Sequence, residues 1–429
     1  MKKKNKAIYL LFLMPFVYFA TACFVVWLVK TSGIYPSGSD TMYHVYRGDY
    51  VYNAIKSGNW YPLYDPAWYN GVEILRYWSP FPAYVMAFCQ YLAGGSQFGA
   101  YLFYIGGVCF LGACVWPFIG RGFNRPYLGA FIGLLWFFMP NNLCAIFIEG
   151  NLARSLSMIF LPVFIYSVYK YLYNHKLRYI PLMVFTFLLM ELCHLGYAGM
   201  VAIAVIIYGI VYIIQKGRKK AVLDVVISMI FGFMLLGIWL VASLRGGITS
   251  LDNSENMANF FQNLWITINP FERLTRGFEY FYFGFATLVV IVFGILFGYK
   301  KSRTGFVTGF IILLMTTKSA YAVLKHLPGS QYLWMLRFIS IALCMILMSF
   351  LMWDRLKKTL VLMLCVLLVV DTIPSLSLIV GEHNDISVQE RMVARQDSTL
   401  ISSAQAVTKQ RLALMDESIL GATGSWLVS

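Results

Sequence analysis

Ionisable side chains are scarce in this sequence, and they gather in four places. The first is Asp40-Thr41-Met42-Tyr43-His44 with Arg47 and Asp49. A helix starting at Asp40 puts Asp40 and His44 on one face, with Ser39 or Asp40 as its N-cap. That pattern suits either a capped amphipathic helix at a membrane interface or a site in which Asp40 is a general base or metal ligand. The second is Ile148-Glu149-Gly150-Asn151-Leu152-Ala153-Arg154, where Glu149 and Arg154 are the only charges for some distance. The pair is a loop salt bridge, or Arg154 grips a phosphate, which its bidentate fork fits. The third is Glu191 with His194 three residues on. On one helical face they make a proton-transfer pair, two ligands for a divalent cation, or a structural hydrogen bond. The fourth is residues 244–279, with Arg245, Asp252, Glu255, Glu272 and Arg273. It matches no catalytic signature and reads as a lid, an acceptor-binding surface or a solvated loop. Arg337 lies close to the end of an apolar run, where it either snorkels or holds an anionic head group. Asp224 and Asp371 are further acids at membrane boundaries.

The elements that must position these groups are helices in a membrane. Of 429 residues, 59% are hydrophobic and only 12% charged. Apolar runs are continuous rather than alternating, which argues for an all-α polytopic membrane protein and against a barrel. Candidate spans are 7–29, 98–119, 126–142, 155–173, 178–193, 196–214, 220–243, 280–298, 304–323, 332–353 and 359–379, about eleven transmembrane helices. Placing the N-terminus in the cytoplasm and alternating puts Lys2, Lys3, Lys4 and Lys6, Arg121 and Arg125, Lys176 and Arg178, Lys216 to Lys220, Lys300 to Arg303, and Arg355 to Lys358 inside. Their only acid is Asp354, so the positive-inside rule holds at every short loop. On this reading the four polar clusters all fall outside, and the C-terminus is extracytoplasmic. Ala83 to Ala93 is apolar but short. Making it a full span would turn the basic loops outward, so it reads as a re-entrant or interfacial helix bounded by Pro80, Pro82 and Gly94-Gly95. The expected organisation is a transmembrane domain over 1–380, with long outer loops at 30–97 and 244–279. An extracytoplasmic tail follows over 381–429, with the look of a truncated outer domain.

Several classes are excluded or weakened. The net charge of +15 follows topology and implies no nucleic-acid partner. The opening basic and apolar stretch is too long for a signal-peptide core and reads as a signal anchor. The eight Cys lack metal-ligand spacing and read as small buried hydrophobes. There is no P-loop, GxSxG, HExxH or GxGxxG. No pair of short, broken spans recurs in the two halves, which weakens a transporter. Trp60, Tyr61, Tyr64, Trp68, Tyr69, Tyr77 and Trp78 form an interfacial belt, a stacking platform for sugar or isoprenoid, or both.

One span, a long outer loop with an early Asp and then many spans is similar to the GT-C superfamily of membrane glycosyltransferases. The chain also resembles bacterial membrane proteins of the 6-pyruvoyl-tetrahydropterin synthase-related family. Gly38-Ser39-Asp40 with His44, Trp60-Tyr61-Pro62, Tyr69-Asn70-Gly71, Ser79 to Tyr84 and Glu149 to Arg154 carry the likeness. Pterin chemistry is set aside, because the soluble synthases cluster His ligands for zinc on a small α/β fold and the five His here are scattered. The resemblance implies a GT-C-like bundle in the cell membrane that moves a sugar from a polyprenyl-phosphate donor to an envelope acceptor on the outer face. Its partners are then a lipid-linked sugar donor and membrane lipid. The catalytic role of the early loop carboxylate falls on Asp40, with Asp49 second and His44 beside them. Arg154 and Arg337 hold the leaving phosphate, and Glu149, His194 and Glu191 orient or tune these groups. No metal site is assigned, and a divalent cation stays open. The rival readings are a non-enzymatic scaffold or flippase for lipid-linked precursors, and an ion-coupled transporter centred on Glu191, Asp224 and Asp371.

Overall fold

The computed structural model describes residues 2–33, 35, 36, 38, 40–66, 71–245, 267–271, 282–327, 330, 333–353 and 356–375. The tail over 381–429, most of the 244–279 loop, and Trp68, Tyr69 and Asn70 lie outside these. Among the described residues the elements are helical, joined by one isolated antiparallel bridge between Asp65 and Val72.

In chain order the helices are α1 (Lys2–Ser32), α2 (Thr41–Lys56), α3 (Ile74–Tyr77), α4 (Phe81–Leu92), α5 (Gln97–Gly122), α6 (Pro126–Trp136), α7 (Pro140–Phe147), α8 (Leu152–Asn174), α9 (Tyr179–Cys193), α10 (Leu195–Lys216), α11 (Lys219–Leu235) and α12 (Gly237–Arg245). Then come α13 (Phe285–Phe297), α14 (Lys300–Met315), α15 (Lys318–Leu324), a 3₁₀ turn (Met335–Arg337), α16 (Phe338–Met352) and α17 (Lys358–Val370).

Five of these stretches are long and apolar enough to cross a membrane, and up to eight qualify if each bent pair counts as one span. The fold is thus an all-α polytopic membrane protein, although length and composition do not give the expected count of eleven. The expected spans that do not qualify as single long helices have a physical form. α9, α13 and α17 have only 15, 13 and 13 residues, and a span of hydrocarbon takes about 20. Three further stretches are bent pairs rather than single helices.

Two of those bends shape the site. α6 and α7 meet at 41°, where Pro140 sits at the first helical positions of α7. The Asn142 amide donates to the freed Trp136 carbonyl at 2.6 Å, so the break leaves that group satisfied inside protein. α7 is wholly buried and delivers residues 148–151 into the interior. α11 and α12 meet at 66°, and α12 turns to lie beside α3.

α16 and α8 form the buried centre, with 94% and 83% of their apolar windows covered, whereas α1 is peripheral at 28%. α2, α3 and α4 build a smaller core of their own around Val51, Ile74, Leu75, Ala83 and Ala87. Gly48 lets α2 close on α4, since a Cβ there would lie 2.2 Å from Met86 Cγ. α4 is a 12-residue helix, about 18 Å long and too short to span. Gly94 and Gly95, at φ 65° and 95°, end it as a left-handed turn.

Candidate functional site

Four segments distant in sequence meet at one end of the bundle: 38 with 40–47, 149–154, 194–197 and 334–340. Gly150 adopts φ 64°, and its backbone packs directly on Gly38 and Thr41. A Cβ on Gly38 would fall 2.6 Å from Gly150 Cα, and one on Gly150 only 2.4 Å from Thr41 N. The Asp40 amide donates to the Glu149 carbonyl at 2.9 Å. Asp40 occupies the N-cap of α2, but its carboxylate does not cap the helix.

The helix starts beside it are closed by side chains. Asn151 Oδ1 accepts from Arg154 N at 2.9 Å and caps α8. His194 Nδ1 accepts from Tyr197 N at 3.1 Å and caps α10. Arg337 ends the 3₁₀ turn at the head of α16, stacked 4.3 Å over Trp334. The positive ends of α2, α8, α10 and α16 therefore belong to one neighbourhood.

Glu149 bridges two guanidinium groups. Arg154 Nη2 donates to its Oε1 at 2.6 Å, and Arg337 Nε to its Oε2 at 3.3 Å. All three residues are buried. His194 Nε2 lies 3.4 Å from Arg337 Nη1 and 3.3 Å from Asn151 Nδ2. With Nδ1 accepting, a neutral His194 carries its proton on Nε2 and faces two donors there. Arg154 Nε and Nη1 have no hydrogen-bond partner among the described residues, although Arg154 is fully buried. This cluster is rich in donors and short of acceptors, which favours negative charge beside it.

In front of the cluster opens a cavity of about 300 Å³. It is lined by Asp40 at the N-cap of α2, by Tyr43, His44 and Arg47 of α2, and by Val72, Ile74 and Trp78. Arg47 lies 4.2 Å over the Trp78 ring. Asp40 is close enough to act on the charge of Arg337. Burial holds the His44 imidazole well below its ordinary pKa, with Arg47 and His194 adding to the effect, so His44 is neutral at physiological pH.

The structure thus brings together Asp40, His44, Glu149, Arg154, His194 and Arg337, of which Asp40 and His44 line the cavity. It leaves two expected residues apart. Asp49 turns to α4, where Gln90 Nε2 donates to its carboxylate at 2.6 Å, and Asn53 Nδ2, one turn on in α2, donates at 3.1 Å. Glu191 does not pair with His194, because α9 ends at Cys193 and His194 is extended, at φ −155°. Glu191 Oε2 is instead buried with no hydrogen-bond partner among the described residues. The boundary acids are engaged elsewhere: Asp224 accepts from Tyr171 Oη at 2.5 Å. Asp371 accepts from Ala286 N at 3.0 Å and Thr287 N at 2.8 Å, at the start of α13. Among the described residues no three or more His, Cys, Asp or Glu side chains gather as a metal ligand set. The sequence places Tyr43 and Arg47 in the first cluster and Trp78 among the candidate stacking aromatics without giving any of them a role in the reaction, although Arg47 sits one helical turn beyond His44.

A family model described as 6-pyruvoyl-tetrahydropterin synthase related domain, membrane protein, matches residues 75–379. The chain belongs to this family. No curated protein matches it. The span matched to the synthase-related family takes in Trp78, Glu149, Arg154, His194 and Arg337. Of the residues that line the cavity, Trp78 lies inside that span, and Asp40, Tyr43, His44, Arg47, Val72 and Ile74 precede it.

Proposed function

We propose that this synthase-related membrane protein is a GT-C-like glycosyltransferase of the cell envelope. It transfers a sugar from a polyprenyl-phosphate donor to a hydroxyl acceptor at the outer face of the membrane. The observation that carries the reading is a carboxylate, Asp40, on the wall of a cavity backed by a donor-rich, positively charged cluster.

The step is a single displacement with inversion. The acceptor oxygen bonds to the anomeric carbon as the bond from that carbon to the phosphate oxygen breaks. The electron pair leaves on the phosphate, and the acceptor proton passes to the Asp40 carboxylate. Arg337 and Arg154 offset the charge that grows on the leaving phosphate. Glu149 holds the two guanidiniums side by side, and His194 and Asn151 fix their surroundings. His44, neutral and adjacent, orients Asp40 and the acceptor without adding charge. Glu191 and Asp49 have no place in this step.

The test is Asp40→Asn, which keeps shape and removes the base. Envelope glycan that is unchanged at normal protein level sinks the assignment, and loss of product at normal protein level supports it.

A further inference from the structure

Lys170 is a half-buried cation one turn before the end of α8. It lies 16 residues beyond Arg154, about 24 Å along the helix from the polar cluster. Its ammonium rests 4.4 Å from the centre of the Phe123 ring and 5.6 Å from that of Tyr166, and it donates to the Gly122 carbonyl. Gly122 is the last residue of α5, so this bond satisfies one of the carbonyls a helix leaves open at its C-terminus. Tyr166 is fixed in turn. The Tyr179 ring meets it edge-on at 6.1 Å, and Gly122 has no room for a Cβ against its hydroxyl.

Capping accounts for Lys170 by itself but not for what gathers round it. Lys176 and Arg178, from the turn between α8 and α9, and Lys301, from the first turn of α14, all act on its charge. Each is held in place. Tyr173 Oη of α8 donates to the Lys301 carbonyl at 3.1 Å. Arg178 lies 5.1 Å over the Tyr179 ring and donates to its hydroxyl at 3.1 Å. Among the described residues none of the four cations pairs with a carboxylate, and Asp224, the acid near the start of α11, accepts from Tyr171 instead. Like charges held together this way repel one another, and an anion between them offsets that. Lys176, Arg178 and Lys301 are exposed, so the cluster opens outward. Its rim is apolar: Leu177, between two of the cations, is exposed, as is Phe118, one turn before Gly122. A soluble anion has no use for such a rim, whereas a lipid uses both parts.

We propose that Lys170, Lys176, Arg178 and Lys301 form a head-group site for an anionic phospholipid, at the end of α8 opposite the cavity. The lipid phosphate joins the α5–α6 turn, the α8–α9 turn and the start of α14, three pieces that carry only positive charge toward one another. Charge also selects the head group. A zwitterionic lipid brings its own ammonium as a fifth cation, whereas an anionic one brings none. A lipid with two phosphates cancels more of the four charges than a lipid with one. Tyr166 and Tyr179 beside the site suit the level of the head groups. The site owes nothing to the transfer reading, since neither Asp40 nor Arg337 takes part in it.

The full chain in detergent tests this, with cardiolipin, phosphatidylglycerol, phosphatidylcholine and inorganic diphosphate as probes. Bound lipid is counted by native mass spectrometry, and melting is followed alongside. Cardiolipin is expected to bind most tightly, phosphatidylglycerol next, and both should raise the melting temperature. Phosphatidylcholine and inorganic diphosphate should do neither. Lys176→Gln and Lys301→Gln change exposed side chains and leave folding intact, and each should weaken cardiolipin about fivefold. Lys170→Met should weaken it at least as much, and Lys170→Arg should keep most of the binding. The control is the double variant Lys219→Gln, Lys220→Gln, which removes two charges at the start of α11 and should bind cardiolipin like the wild type. An equal loss in that control overturns the site in favour of a diffuse basic face. Unchanged binding in both Lys176→Gln and Lys301→Gln, or phosphatidylcholine bound as tightly as cardiolipin, also overturns it. Inorganic diphosphate that displaces the lipid and raises melting as much makes this a soluble-anion site and overturns the lipid assignment. Asp40→Asn should leave all these values unchanged, so this site and the transfer reading fail separately.

Discussion

The amide of Asp40 is hydrogen-bonded to the carbonyl of Glu149 at 2.9 Å. One contact thus places the proposed base and holds the loop that pairs the two buried arginines. Asp40 cannot move relative to the charged cluster without breaking a backbone bond between the start of α2 and the loop after α7. The two glycines beside it make that approach possible. The polar site is therefore set by backbone geometry before any side chain acts.

Gly150→Ala tests that backbone contact. A Cβ at φ 64° is strained by itself, and here it would meet Thr41 N and Oγ1 at 2.4 and 2.3 Å. The expected cost is about 2–4 kcal/mol, seen as a lower melting temperature in detergent. Binding of the lipid-linked donor should weaken as α2 is pushed off. A variant that melts and binds like the wild type removes the contact from the account.

Glu149→Ala leaves two buried guanidiniums without their shared carboxylate. Losing one partner of a buried pair costs about 3–5 kcal/mol, more than truncation at a solvated loop bridge. The measurement is a double-mutant cycle with Arg154→Met, comparing melting in detergent. The two changes together should cost less than their separate effects added, because the second removes a charge that the first leaves stranded. Additive losses contradict a direct pair.

His44 gives a pH signature. Its pKa is lowered in the fold by burial, then by Arg47 and His194, from an ordinary 6.5. The unfolded chain therefore takes the proton first as pH falls. The stability His44 contributes is present above its unfolded pKa and is lost as pH drops from there toward the folded value. The slope from this one group reaches at most about 1.4 kcal/mol per pH unit. Melting curves between neutral and mildly acidic pH should show the wild type losing stability more steeply than His44→Asn. Parallel curves refute a buried neutral imidazole.

Much of the site could be read from the chain, for a physical reason. Ionisable groups are costly at membrane depth, so Asp40, His44, Glu149, Arg154, His194 and Arg337 stood out against apolar surroundings, and the structure gathers them. Asp49, expected beside Asp40 as a second catalytic carboxylate, is set apart by helical period: at about 100° per residue it lies some 180° from Asp40 around α2, whereas His44 and Arg47 stay close to Asp40's face. Glu191 and His194 were misread as a pair because three-residue spacing matters only inside one helix, and α9 stops between them. The bends at α6–α7 and α11–α12 carry no strong sequence mark beyond Pro140 and Gly237. They are settled by packing, as is the cavity wall made by 72–78, whose backbone partners lie in α12.

Asp371 is tested as a cap. It accepts two backbone amides of α13 and the Thr287 hydroxyl, and Gly284 next to them, at φ 99°, has no room for a Cβ against its carboxylate. Asp371→Ala should lower stability by about 1–2 kcal/mol, and Asp371→Asn by less, since an amide oxygen still accepts. An ion-coupled transporter relying on this acid predicts the opposite ranking of interest: normal stability in both variants and lost function in both.

Glu191 separates transfer from transport most directly. Its Oε2 is buried without a hydrogen-bond partner among the described residues, and its side chain approaches Gly232 of α11, where a Cβ would lie 3.7 Å from that oxygen. An unpaired buried polar atom costs about 1–3 kcal/mol, and an apolar group of similar shape removes that cost. If Glu191 only fills the α9–α11 contact, Glu191→Leu raises the melting temperature and leaves sugar transfer and lipid binding intact, because nothing ties Glu191 to Arg337 or Asp40. If the acid carries a proton or ion through the bundle, Glu191→Leu is still stabilised but loses all substrate movement in proteoliposomes, and Asp40→Asn does not. A more stable protein that keeps transfer leaves Asp40 as the acid that matters; a more stable protein that is dead, beside a live Asp40→Asn, moves the function from the cavity to the α9–α11 contact.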